Sequence, residues 1–133
     1  MKKFERIFSN APWESKVGYC RAVKADNQIF VTGTAPIDKS GNTFEPDNAY
    51  AQAKRCFELI EESLHRFKTD LTSVVRTRMF VTDITRWQEF GKAHAEFFGE
   101  HPPATTMVEV KSLIDPNMLI EVEADAIILE QGD

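Results

Sequence analysis

With two cysteines, three histidines and no long apolar run, the chain has few routes to metal or membrane chemistry. Cys20 and Cys56 show neither CxxC nor CxxH spacing, so they read as reduced thiols that pack rather than bridge or ligate. His65, His94 and His101 lack HExxH or paired-cysteine spacing, and His94 reads as a packed residue of an apolar helix stripe. No metal is expected. No GxGxxG or Walker-type loop is present, so no cofactor is expected either, and no nucleophile-elbow motif supports a serine triad. No window approaches the ~18 unbroken apolar residues of a bilayer span. The opening Met1-Lys2-Lys3-Phe4-Glu5-Arg6 is basic with no apolar run behind it, which reads against a secretory signal and for a cytoplasmic protein. Basic residues are also short: 16 Lys and Arg against 21 Asp and Glu give a net charge of −5 and a pI near 5.2. Broad nucleic-acid binding needs clustered cations to displace counterions, and this balance argues against it.

What the chain does have is an ordinary globular composition, 42% hydrophobic and 28% charged over 133 residues. That length fits a single domain, 1–133, able to bury roughly two thirds of the surface its unfolded chain exposes. No repeat or linker interrupts it. A strand is expected from about Gly18 to Lys24, a turn at Asp26-Asn27, and a second strand from Gln28 to Thr34, forming a hairpin. A polar connection from Ala35 to Asn48 follows. Ala49, Ala53, Cys56, Phe57, Ile60, Leu64 and Phe67 recur at helical spacing, with Asp47 or Asn48 as the cap. A strand from about Ser73 to Thr82 comes next. A second helix is expected from Thr85, where Thr85-Arg86-Trp87-Gln88 fits a capping box. Its apolar stripe is Trp87, Phe90, His94, Phe97 and Phe98, and Gly99 with Pro102-Pro103 ends it. Two late strands, Thr105 to Lys111 and Leu119 to Leu129, complete a ββαβαββ order.

Two helices cover one face of a sheet, so this order predicts an α+β fold: a single mixed sheet backed by two helices. Along Leu119 to Ile127 the alternation is strict. Ile120, Val122, Ala124 and Ala126 share one face, and Glu121, Glu123 and Asp125 the other. Val75, Thr77, Met79 and Val81 likewise oppose Arg76, Arg78, Phe80 and Thr82. The polar face is either solvated, as in many antiparallel sheets, or an interface between chains. By themselves, Glu121 reads as one charge of a wet strand, Tyr19 as a packing aromatic, and Glu109 as an ion-pair or interface carboxylate.

The segments Pro103-Ala104-Thr105-Thr106-Met107-Val108-Glu109-Val110 and Leu119-Ile120-Glu121-Val122-Glu123-Ala124 resemble the Rid family of reactive-intermediate imine and enamine deaminases, formerly grouped as endoribonuclease L-PSP-like. Asn10-Ala11-Pro12, Tyr19, Val31-Thr32-Gly33 and Phe80-Val81-Thr82-Asp83 extend the resemblance over nearly the whole chain. It implies a homotrimer whose sheets face inward, with small-metabolite sites in intersubunit clefts. It also implies catalysis at Glu121, with substrate binding at Tyr19 and at the backbone of Gly33. The family's usual Pro-Ala-Arg-Ser pattern would place a carboxylate-binding arginine at position 105. Here Thr105 stands instead, and threonine offers no permanent charge and no planar fork of donors. Some relatives of this kind carry a ribonuclease label, which an acidic chain does not support.

The expectation is a candidate hydrolase. It would deaminate an imine or enamine, or perform a related hydrolysis, with weak activity on small 2-imino acids and a substrate not gripped at position 105. Arg78 is a candidate to supply the missing charge, and Thr105 with Thr106 could hydrogen-bond a neutral or differently charged ligand. The alternative is a non-catalytic ligand-binding or protein-interaction module of the same fold.

Overall fold

The computed structural model describes residues 3–129. Its strands are β1 (Phe4–Ile7), β2 (Ala22–Ala25), β3 (Gln28–Thr34), β4 (Val74–Val81), β5 (Ala104–Glu109) and β6 (Ile120–Ile127). Its α-helices are α1 (Pro12–Val17), α2 (Ala49–Arg66) and α3 (Trp87–Phe98), with short 3-10 turns at Leu71–Ser73 and Ile84–Arg86. The six strands form one sheet in the order β1-β2-β3-β6-β4-β5. Only the β4–β5 pair is parallel, because α3 carries the chain back across the sheet between them. The architecture is the α+β sheet-and-helix fold that the hydrophobic pattern predicts.

Two elements lie ahead of the expected ββαβαββ order. The first is β1, whose sequence Phe-Glu-Arg-Ile has no apolar alternation to announce it; Phe4 is exposed and pairs at the sheet edge with Ala25. The second is α1, six residues long and too short for periodicity to register. Its signal is positional: Pro12 begins it, and Gly18 at φ +92° ends it in the left-handed region, donating its N–H to Glu14 O. The strand expected from Gly18 therefore starts at Ala22. The following hairpin is as expected, with Ala25 opposite Gln28 and Asp26 at φ +59° in a two-residue turn.

The core lies between the sheet and the pair α2–α3. From α2 it takes Ala49, Ala53, Cys56, Phe57, Ile60 and Leu64; from the sheet, Ile29, Val31, Met79, Val81, Ile120, Val122, Ala124 and Ala126. Burying each large aliphatic or aromatic side chain contributes roughly 1.5–3 kcal/mol relative to leaving it in water. Phe57 meets Phe97 and Phe98 with ring centroids 5.5 Å apart in both cases, which locks α2 to α3. Gln52, although polar, is fully buried: its amide donates to Asn117 O at 3.0 Å and accepts from Leu119 N–H at 2.8 Å. It thus ties the loop before β6 to α2.

Asn48 caps α2 by accepting from Ala51 N–H at 3.0 Å. Three expectations are corrected nearby. The helix entry at residues 84–87 is capped by Asp83, which accepts from Thr85 N–H, so Thr85 is a donor inside the turn and not the cap. Trp87 is 55% exposed and does not belong to the apolar stripe, because it sits at the junction between the 3-10 turn and α3. Val75 is 43% exposed because a register shift between Val74 and Arg76 turns it out of the ladder; Thr77, Met79 and Val81 keep the inner face. Glu109, near the end of β5, accepts from Ile84 N–H at 3.0 Å and so ties β5 to the 3-10 turn before α3.

Candidate functional site

The sheet face away from α2 and α3 carries Glu121, Glu123 and Asp125 on β6, alternating with buried Ile120, Val122, Ala124 and Ala126. Beside β6 runs β3, and its ladder is irregular between Val31 and Thr34. Three residues of β3 span what two residues of β6 span there, which pushes Gly33 out of regular pairing. The consequence is a close approach. A Cβ at Gly33 would lie 2.5 Å from Glu121 Oε2 and 3.2 Å from its Cδ, so the carboxylate occupies the space that glycine leaves empty. The Gly33 carbonyl accepts from Arg21 Nη2 at 2.9 Å.

Glu121 is half-buried, and burial raises its pKa above the ordinary carboxylate value. Arg21 opposes that rise and Glu123 adds to it. Arg21 is half-buried too; burial lowers its pKa, while Glu14, Tyr19 and Glu121 pull it back up. A guanidinium stays protonated through such a change. Tyr19 leaves α1 with its N–H bonded to Glu14 O at 3.0 Å. It lines an open groove of about 680 Å³ together with Cys20, Phe30, Thr32, Glu123 and Asp125. Arg21, Gly33 and Glu121 do not line this groove themselves; Arg21 and Gly33 are the next residues after two that do.

Arg78 lies on the same face. Its Nη1 is 3.3 Å from Glu123 Oε1 and 3.1 Å from Asp125 Oδ2. These partly exposed pairs contribute at most about 1 kcal/mol each, but they commit the Arg78 charge to two carboxylates.

Thr105 and Thr106 diverge. In the parallel register Thr106 stands beside Arg78 and Thr105 beside Thr77. Thr77 is fully buried on the helix side. Its Oγ1 is 2.6 Å from Thr105 Oγ1 and 2.8 Å from His94 Nε2, and Thr105 Oγ1 also donates to Thr77 O at 3.2 Å. His94 packs edge-on to Phe57 and against Phe98, and burial lowers its pKa, which favours the neutral imidazole. Thr105 is therefore a member of a hydrogen-bonded chain linking β5, β4 and α3.

Within one chain the candidate residues form two groups. Tyr19, Gly33, Glu121 and Arg78 share the open face around β3, β6 and β4. Thr105 is elsewhere: Glu121 aligns with Phe80, Phe80 with Val108, and Thr105 is three residues further along β5. That is roughly 10 Å across the sheet and roughly 10 Å along it. Arg21 carries no sequence signal of its own, since a single arginine after Tyr19-Cys20 fits a wet strand end equally well. Among the described residues no group of His, Cys, Asp and Glu is arranged to hold a metal ion, and no helix is long and apolar enough to cross a membrane.

The chain's relatives agree with this architecture. The family model described as "Endoribonuclease L-PSP" matches residues 8–128. An uncharacterized protein of Streptomyces coelicolor, SCO2049, is 33% identical over 121 residues, covering 91% of this chain and 90% of its own. The 3-aminoacrylate deaminase RutC of Acinetobacter baylyi is 32% identical over 108 residues, covering 81% of this chain and 85% of its own. Among solved structures, Rv2704 of Mycobacterium tuberculosis, described as a member of the YjgF/YER057c/UK114 family, superposes with a TM-score of 0.86 at 40% identity. That match covers 95% of this chain and all of Rv2704. On this evidence the chain belongs to the endoribonuclease L-PSP family, the YjgF/RutC group to which the Rid deaminases belong.

Proposed function

We propose that this protein hydrolytically deaminates an imine or enamine of a small metabolite, in clefts formed between the chains of a homotrimer. The observation that carries the reading is the seat of Glu121. Its carboxylate is half-buried, fills the space beside a residue without a Cβ, and has a raised proton affinity. Such a group takes a proton from water more readily than a fully solvated carboxylate and can return it. Water adds to the C=N carbon: a C–O bond forms, the π pair moves to nitrogen, and Glu121 accepts the proton lost by water and passes it to that nitrogen. The resulting carbinolamine then collapses. Glu121 takes the hydroxyl proton and delivers it to the amine, the C–N bond breaks, ammonia leaves, and the oxygen becomes a carbonyl. No redox partner is required. An enamine enters the same sequence after a proton shift to its imine.

The name of the RutC relative supports the reaction class. The separation of Thr105 from Glu121 within one chain supports a site shared between chains, because only a neighbouring copy can bring β5 to this cleft. Thr105 also supports a substrate held by some group other than the one at position 105. The second reading, a non-catalytic ligand-binding module, draws on the same observation: the Thr105 hydroxyl is already committed to Thr77.

The test generates an imine in situ with a separate amine-forming or amine-oxidising enzyme and follows release of the carbonyl product above the uncatalysed rate. Wild type accelerates release, and Glu121→Gln lowers the acceleration about 100-fold while the protein remains folded. No acceleration by wild type across 2-imino acids and enamines would move the binding-module reading ahead.

A further inference from the structure

If Glu121 handles water, a substrate bearing a carboxylate still needs a cation, and position 105 does not supply one. Arg78 is engaged with Glu123 and Asp125. Arg21 differs in three respects. Among the described residues, no carboxylate oxygen lies within 4 Å of its guanidinium, so its charge has no contact partner. The carboxylate of neighbouring Glu14 is turned to Ser9, accepting from the Ser9 N–H and its hydroxyl. The Arg21 Nε is buried without an acceptor, an arrangement native proteins rarely leave unsatisfied. Among the described residues the one hydrogen bond of its guanidinium, from Nη2 to Gly33 O, places that group against the residue on which Glu121 rests.

We propose that Arg21 is the anion anchor of this site, holding the carboxylate of the substrate beside Glu121 in place of an arginine on β5. The proposal rests on the deamination reading for the substrate class, a carboxylate-bearing imine or enamine, and gives that class a residue to bind it. A carboxylate that reaches the guanidinium after a small turn about the Gly33 contact provides the acceptor that Nε lacks. A planar guanidinium matches a carboxylate with two parallel hydrogen bonds, which fixes orientation as well as position. The electrophilic carbon of a small 2-imino acid is bonded directly to its carboxylate carbon. A grip at Arg21 therefore sets the reacting carbon close to Glu121. Glu123 and Asp125, which would repel an incoming anion, are offset by Arg78.

The test uses pyruvate, a 2-keto acid of the size of a minimal product, and its neutral amide. Wild type should bind pyruvate at least about tenfold more tightly than the amide. Arg21→Gln should bring that ratio close to one. Arg21→Lys, with one charge but no fork, should fall between. In wild type the Arg21 Nε–H resonance should shift on addition of pyruvate and stay in place with the amide, a measurement that does not depend on any variant folding. A wild-type ratio near one, a ratio unchanged in folded Arg21→Gln, or an Nε–H signal unmoved at saturating pyruvate overturns the proposal. The two readings separate cleanly. Imine hydrolysis that proceeds equally in Arg21→Gln removes the anchor and leaves the deaminase. Acid-selective binding that depends on Arg21, without any imine hydrolysis, keeps the anchor and removes the deaminase.

Discussion

Gly33 and Glu121 form the most constrained pair in the candidate site. Gly33→Ala places a methyl 2.5 Å from Glu121 Oε2, and the carboxylate, as the flexible end of a side chain, is what moves. A displacement of that size in a positioned catalytic group costs about 10- to 100-fold in rate. The expected result is that loss in imine hydrolysis with little change in melting temperature; full activity in Gly33→Ala would show that the seat is unimportant. Glu121 also predicts a pH dependence. Its folded-state pKa is raised, chiefly by burial, so the folded protein favours the protonated carboxyl more than the unfolded chain does. Stability from this residue is present at low pH and is lost as pH rises from the unfolded value, about 4.3, through the raised folded one. Thermal melts of Glu121→Gln should therefore show a gain over wild type at pH 8 that shrinks at pH 5. Hydrolysis, which needs the ionised form, should have its rising limb above the ordinary carboxylate range, the opposite direction. A gain that is equal at both pH values would contradict the raised pKa.

At the scale of elements, Thr105 gains a meaning that its sequence position does not suggest. The parallel pairing of β4 and β5 sets it beside Thr77, and Thr77 in turn meets His94 of α3. Thr105→Val keeps the β-branched shape and deletes the hydroxyl. The net contribution of such a hydrogen bond is about 1 kcal/mol, so urea unfolding at fixed protein concentration should show a loss of that order. A stability equal to wild type would mean that water replaces the hydroxyl without penalty. Elements also mark where sequence reading succeeded. The 18 residues of α2 repeat their apolar positions over five turns, and the strict alternation of β6 survives intact in the structure. By contrast, β1 and α1 are four and six residues long, too short for any period to emerge from noise. The bulges at Val75 and Gly33 arise from a mismatch in length between paired strands, which neither strand encodes alone.

At the scale of the whole molecule, the decisive feature is an open sheet face. It bears Tyr19, Phe30, Arg78, Glu121, Glu123 and Asp125, while both long helices lie on the other side. Phe30 is 41% exposed and Val108 42%, so apolar surface also remains uncovered on the sheet. Three copies that meet through this sheet would cover that surface and bring the β5 edge of one chain to the Glu121 cleft of the next. Light scattering after size-exclusion should return about three times the 15.2 kDa chain mass at micromolar concentration. A monomer would leave the cleft without its second wall and sink the shared-site reading.

The sequence by itself determined the fold class, the two helices that cover one face, and the sides to which most β6 and β4 residues turn. Those features follow from periodic burial of apolar side chains, which is written in one dimension. It also marked Gly33, Tyr19 and Glu121, through the order of short segments shared with a known family. Only the tertiary structure decided the rest. Strand order placed Thr105 far from Glu121 in the same chain and beside Thr77. Pairing across β6 committed Arg78 to Glu123 and Asp125. The irregular β3 ladder brought Arg21, Gly33 and Glu121 to one place, although 100 residues separate Arg21 from Glu121 in sequence. A single charged residue has no period and no spacing, so what it does depends on which strands fold beside it.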